Sequence, residues 1–466
     1  MAEYAFLTIP ELGRLLRSGR VTSTELTEYF LDRLERLGPA YNAVVTVTRE
    51  RALREAAQAD RERKVTASKG PLHGIPYAVK DLLAAEGAPT TWGAQPYREQ
   101  LLQTDSAVVA RLGRAGAILC AKLSMVELAG GMGYNQAFAS FNGPGRSPWD
   151  TTRWSGGSSS GSGSAVGAGL VPFAIGTETW GSIAFPSAFC GVTGLRPTYG
   201  RVSRYGAMAL CWSMDKIGPL ARTAEDCGLV LASLAGRDAT DPATLAGSFR
   251  FPAAKPARRR YRLGVLKGTV DKLQPGVERN FLAAVEVLRG FSDVAEGVTL
   301  PDYPYNDMAG AIIDAEAASA FEELFTSGRI TGLTAPEDRI GGYAGQVMLA
   351  KDYLRAVRLR GPAADALDGT LAGYDAIVGP TLPTVAWPID TPFDKVYPEY
   401  PGGTTIDGAA NLCGVPGLFL VNGLGEGGLP TSLQLTGRAG TEGLLLELGV
   451  QYQARTTHHR LRPAGL

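Results

Sequence analysis

The 466-residue chain is predicted to be an α/β protein with a sheet covered by helices on both faces, and three observations carry that expectation. Apolar runs of strand length alternate with amphipathic stretches of helix length along most of the chain. The runs at 75–79 and 170–175 read as buried strands rather than half-exposed ones. A composition of 45% hydrophobic and 20% charged residues suits a globular chain with a large core. Because α/β enzymes of this length often form one unit, residues 1–466 are read as a single domain.

Two amphipathic helices open the chain. Leu12, Leu15 and Leu16 line one face of the first, and Thr22 with Glu25 forms a capping box ahead of Leu26, Phe30, Leu34 and Leu37. A polar helix follows at about 47–64, ended by Lys69-Gly-Pro71 before the strand 75–79. Residues 105–120 read as helix then strand, and Gly130-Gly-Met-Gly133 as a glycine loop. After the strand 170–175, Ala224–Leu234 reads as a helix. The basic, proline-punctuated stretch 251–261, with Lys255, Arg258, Arg259 and Arg260, is expected to be a solvated loop. Tyr261–Leu266 then reads as a strand and 277–288 as a helix. Within 300–360, Tyr303, Tyr305, Met308, Ile312, Ile313, Phe321 and Phe325 fall on predicted helices, which read either as core or as a variable cap over a pocket. Strands at 374–381, 418–421 and 429–435 and the helix Glu442–Gln453 complete the chain.

Composition excludes several classes of function. Lys+Arg and Asp+Glu both total 46, so no net charge favours nucleic acid or an anionic membrane as partner. Five cysteines without a CxxC spacing argue against a disulfide framework or a zinc site, and buried thiols in a reducing compartment are expected. The opening Met-Ala-Glu-Tyr-Ala-Phe shows no basic region followed by an apolar one, so no signal peptide is read. The longest apolar stretch, near 165–175, is broken by glycines and Pro172 and falls short of the roughly 18 residues of a membrane span. The expectation is a cytoplasmic enzyme, monomeric or homodimeric, that needs neither metal nor organic cofactor.

The site is sought where serines and glycines crowd around one buried strand. Trp154-Ser-Gly-Gly-Ser-Ser-Ser-Gly-Ser-Gly-Ser-Ala165 precedes that strand, and Thr177-Glu-Thr-Trp-Gly-Ser-Ile183 and Phe185-Pro-Ser-Ala-Phe-Cys190 follow it. Glycine admits close approach and positive φ, and serine offers a hydroxyl that donates, accepts or attacks. Upstream stands Leu72-His-Gly-Ile-Pro-Tyr-Ala-Val-Lys-Asp81; downstream come Arg201-Val-Ser-Arg-Tyr-Gly206 and Asp215-Lys-Ile-Gly-Pro-Leu-Ala-Arg222. In this order the motifs resemble the amidase signature family of serine hydrolases, with the signature core at about 65–235. The resemblance implies a central mixed, twisted sheet and a relay of Lys80, Ser158 in a cis peptide, and the nucleophile Ser182. Ser158 and Ser182 lie 24 positions apart, the interval the family pattern requires. The resemblance also places the acyl pocket near Met125, Gly130 and Gly131.

The chemistry supports the same residues. A serine needs a base within hydrogen-bond reach, and this chain has only His73, His458 and His459. A lysine can serve instead, but an unperturbed ammonium leaves only about one molecule in 2,500 neutral at pH 7. Bringing its pKa near 7 takes roughly 3.4 units, or about 4.6 kcal/mol, supplied by burial. The strand ahead of Lys80 offers that burial, and Asp81 alternates to its other side. The turn Thr179-Trp180-Gly181-Ser182 follows a strand, so its backbone N–H groups converge on a developing oxyanion.

Two positions depart from the family pattern. Trp180 replaces a small residue, and Ala184 stands where arginine is common, which removes a partner for a substrate carboxylate. A neutral, apolar acyl or aryl substrate is inferred: anilides, other aryl or alkyl amides, carbamates (urethanes) and small esters. The alternative is an amidotransferase A-type subunit that releases ammonia from glutamine with a partner protein. A nucleophile elbow at Gly157-Ser-Ser-Ser-Gly161, with Ser159 attacking, is disfavoured because 147–153 reads as a loop. Neither a dinucleotide fingerprint nor a P-loop is present.

Overall fold

The computed structural model describes residues 4–65, 68–251 and 260–466; Lys255, Arg258 and Arg259 lie outside the described residues. Thirteen strands follow one another along the chain: β1 (Val44–Val47), β2 (Pro76–Lys80), β3 (Ile118–Leu123), β4 (Arg146–Ser147), β5 (Asp150–Trp154), β6 (Phe173–Glu178), β7 (Thr193–Arg196), β8 (Lys216–Ala221), β9 (Tyr261–Leu266), β10 (Ser292–Val298), β11 (Ala376–Pro380), β12 (Gly417–Leu424) and β13 (Pro430–Thr436). All but β4 and β5, which form a separate hairpin, join one sheet in the order β1-β3-β2-β6-β8-β7-β12-β13-β11-β9-β10. The sheet is mixed. β2 runs parallel to β3 and β6, and β9 parallel to β10 and β11, while β6, β8, β7, β12, β13 and β11 pair antiparallel in turn.

Side-chain alternation divides the interior into two layers. Tyr77, Val79, Phe173 and Ile175 join the larger core, where Tyr77 stacks on Phe173 at 5.3 Å. Ala78 and Ala174, between them on the same strands, face a second core with Leu31, Leu34 and Ala165. Both faces of the sheet are therefore covered, and the central strands carry unbroken apolar runs instead of alternating ones.

The helix Ser160–Gly167 was not expected from its sequence, Ser-Gly-Ser-Gly-Ser-Ala-Val-Gly, which has weak helix propensity. All eight residues are buried. Two of its serine hydroxyls are satisfied by backbone carbonyls, Ser162 donating to Ile175 at 3.1 Å and Ser164 to Arg146 at 2.7 Å. A Cβ at Gly161 would stand 2.3 Å from the carbonyl oxygen of Ala43 and 2.5 Å from the amide of Ser124, so only glycine lets the helix lie this close. Residues 150–153, within the stretch 147–153 read as a loop, belong to β5 of the small hairpin.

Most of the Met and aromatic row of 300–360 is core, with Tyr303 and Ile313 partly buried against it. The helix Tyr305–Ala320 buries Tyr305, Met308 and Ile312, and Phe321 and Phe325 are buried beyond it. Ala315, Glu316 and Ser319 of the same stretch look instead into a cavity, joined by Met348 and Tyr353.

Candidate active site

Lys80 ends β2, fully buried. Its Nζ lies 2.6 Å from Ser158 Oγ and 2.9 Å from Thr177 Oγ1, and Ser158 Oγ lies 2.9 Å from Ser182 Oγ. The three residues thus form one continuous hydrogen-bonded line, with the Gly157–Ser158 peptide cis. Hydroxyl hydrogens rotate, so the line carries donors either toward Ser182 or, with a neutral amine, toward Lys80. Burial lowers the Lys80 pKa to about 7, against the opposing pull of the Asp215 and Glu178 carboxylates. Asp81 does not neutralise it. Its carboxylate pairs with Lys122 at 2.8 Å and accepts from the amide and hydroxyl of Thr91.

The turn after β6 is held from several directions. Glu178, the last residue of β6, accepts the amides of Ile183 at 2.8 Å and Ala184 at 3.0 Å through one oxygen and Arg196 Nη1 at 2.7 Å through the other. Thr179 donates its hydroxyl to Asp215 at 2.5 Å and accepts Lys216 Nζ on its carbonyl at 3.1 Å. Gly181 has φ +83°, a conformation that suits glycine. Among the described residues no acceptor takes the backbone N–H of Trp180, Gly181 or Ser182. These amides sit in the turn that carries the Ser182 hydroxyl, free for an outside ligand.

A cavity of about 920 Å³ reaches this centre through Thr177, which contacts Lys80, and Thr179. Its wall is largely apolar, with Leu82, Ala129, Met208, Leu210 and Ile217 among the lining residues. Of the charged groups there, Arg204 pairs with Asp241 at 3.1 Å, and Glu316 accepts Ser213 N at 2.9 Å, Ser213 Oγ at 2.7 Å and Tyr353 Oη at 3.2 Å.

Of the residues expected to contact substrate, none is among those that line this cavity, and neither are Lys80, Ser158 and Ser182 themselves. Met125 is fully buried in the larger core, Gly130 lies under the ring of Tyr134, and Gly131 abuts Leu210. Trp180 is 37% exposed, two residues before Ser182. Ala184 opens the helix Ala184–Cys190 with its side chain in the second core. Leu128 and Ala129 both have positive φ, and Ala129 stands in the cavity wall. Sequence reasoning assigned no role to Thr177, Glu178, Asp215 or Lys216, although each stands inside a motif already singled out.

The elbow alternative finds no support in the geometry. Ser159 Oγ donates to the Thr177 carbonyl at 3.1 Å and accepts from its amide at 3.2 Å. His73, the buried histidine, faces Glu62 at 3.2 Å.

A mixed eleven-stranded sheet carrying a lysine, a second serine and a third-in-line serine hydroxyl is an α/β architecture of the amidase class. The amidase family model matches residues 25–446, and the chain belongs to that family. The glutamyl-tRNA(Gln) amidotransferase A subunit of Aromatoleum aromaticum is 38% identical, over 98% of this chain and 99% of that protein. The same-named protein of Chloroflexus aurantiacus is 36% identical, over 99% of each. Among solved structures, the native peptide amidase of Stenotrophomonas maltophilia superposes with a TM-score of 0.85 at 32% identity, covering 99% of this chain and 98% of that one. The glutamyl-tRNA(Gln) amidotransferase A subunit of Thermotoga maritima gives 0.78 at 28%, covering 96% and 94%.

Proposed function

We propose that the protein hydrolyses C–N bonds of amides through an acyl-enzyme on Ser182. The observation that carries this reading is the unbroken line from Ser182 through Ser158 to a buried Lys80 with its pKa near neutrality. Neutral Lys80 takes the proton of Ser158 as Ser158 takes that of Ser182, whose oxygen then bonds to the carbonyl carbon. The free amides of the turn, those of Trp180, Gly181 and Ser182, receive the oxyanion. The C–N bond breaks as the proton returns along the same line to the leaving nitrogen, and water releases the acyl group by the reverse path.

Two substrate readings share this chemistry. The apolar cavity wall favours neutral amides, anilides and carbamates. The names of the curated relatives favour the second more strongly: an A-type amidotransferase subunit that takes glutamine and works with a partner protein. An exposed apolar row, Ile340, Val347, Leu349 and Leu354, adds to this second reading, since a partner protein covers surface of that kind. One experiment separates them. Lys80→Ala, Ser158→Ala and Ser182→Ala variants are assayed with a chromogenic anilide, a carbamate and glutamine, the chain first alone and then with an amidotransferase partner. Loss of at least about 10³-fold in Ser182→Ala is expected for the true substrate, and near-normal turnover in that variant defeats the whole reading. Glutamine turnover only in the partner's presence selects the amidotransferase.

A further inference from the structure

Lys216 is a buried cation beside the site that the reaction above leaves without a task. Its Nζ lies 3.1 Å from the carbonyl oxygen of Thr179, 2.5 Å from that of Met214 and 3.5 Å from that of Asn411. An ammonium has three N–H donors and no acceptor, so three carbonyls suit its charged form. Burial, with Arg196 on β7 and Arg360 on the helix Ala350–Leu371, lowers its pKa to about 7 against the pull of Glu178 on β6 and of Asp215 beside it. Unlike Lys80, which meets two hydroxyls able to donate, Lys216 meets only carbonyl acceptors, and these keep the proton on it. Asp215 accepts the Thr179 hydroxyl. Two successive residues, Asp215 and Lys216, thereby grip one threonine by its side chain and its carbonyl.

The peptide unit whose oxygen Lys216 holds ends in the N–H of Trp180. In a trans amide the C=O and N–H point in opposite directions, so fixing the oxygen fixes the aim of the N–H. A positive charge on the oxygen also polarises the amide and strengthens its N–H as a donor. No residue of the described chain accepts that N–H. We propose that Lys216 is a positioning residue whose ammonium aims and polarises the 179–180 peptide toward the oxyanion formed at Ser182. This rests on Ser182 being the nucleophile, as proposed above.

The test uses the full-length chain. Lys216→Gln keeps a donor without the charge, Lys216→Met removes both, and Lys216→Arg keeps both. With the substrate found active above, Lys216→Gln is expected to lose about tenfold in kcat with KM held within about twofold, a fraction of the 10²–10³ that one whole oxyanion donor is worth. A second readout compares two inhibitors. A boronic acid, which accepts a lone pair of Ser182 Oγ and becomes a tetrahedral anion, should bind about tenfold more weakly to Lys216→Gln, while an unreactive substrate-like amide binds unchanged. Where Lys216→Met does not fold by circular dichroism, Lys216→Arg and Lys216→Gln carry the test, Arg retaining kcat and boronate affinity and Gln losing them. Equal weakening of both inhibitors, or an unimpaired kcat and boronate affinity in Lys216→Gln, overturns the role. Ser182→Ala separates the two claims: its near-normal turnover would sink the functional reading, whereas an inactive Ser182→Ala beside an unimpaired Lys216→Gln sinks only the role of Lys216.

Discussion

Lys80 and Glu178 are both fully buried charges in the sheet, and their surroundings set them to opposite tasks. Lys80 meets two hydroxyls and no carboxylate, so burial makes its neutral form available near pH 7. The base must be neutral, so turnover is expected to fall as pH drops through about 7, to roughly a tenth of its plateau at pH 6. A pH–rate profile checks this, and a flat one from pH 5 upward counts against lysine as the base. Glu178 instead is ionised against Arg196 and binds two amides of the next turn. Its change to Gln leaves Arg196 buried without its carboxylate, and a cost of about 3–5 kcal/mol is expected in chemical denaturation. Ser158 and Ser182 were legible at this scale because their spacing belongs to a motif. Thr177, which shares Lys80 with Ser158, was not, because nothing in a strand sequence says which side chain reaches across to the neighbouring strand's lysine.

The helix Ser160–Gly167 illustrates what an element's sequence does not reveal by itself. Propensity disfavours it, and tertiary contact overrides propensity, since the buried backbone must be hydrogen-bonded and only glycine fits against Ala43 and Ser124. Gly161→Ala is accordingly expected to cost about 1–3 kcal/mol by overpacking, although alanine is the better helix former. A thermal melt decides the sign. The short helix Asp338–Gly341 makes a second prediction. Asp338 is buried beside the Glu127 carboxylate, and burial together with that neighbour raises its pKa. The native state then keeps a proton that the unfolded chain releases, so stability falls as pH rises from the ordinary carboxylate range toward the raised value. Asp338→Asn removes that dependence. The variant should gain in Tm on the wild type between pH 5 and pH 9, and a constant difference across that range refutes the assignment.

At the scale of the whole molecule, strands from both ends of the chain complete one sheet, and the cavity is closed by segments as distant as Leu82 and Tyr353. Substrate choice therefore lives in residues that no single motif contains. No helix of the described residues is long and apolar enough to cross a membrane. If neutral amides are the substrates, Ala184→Arg should leave their turnover lowered or unchanged without improving carboxylate-bearing analogues, because position 184 lies in the second core and off the cavity wall. A gain for the charged analogues, read as kcat/KM, would restore Ala184 to the binding site.

The sequence by itself determined the class of the sheet, most of its strands, the amidase resemblance and the three residues of the proton line, because ordered motifs and period-two burial are local properties of a chain. Only the tertiary structure decided that Thr177, Asp215 and Lys216 converge on the site. That outcome depends on strands distant in sequence lying side by side, and such long-range geometry is set by the packing of the entire sheet.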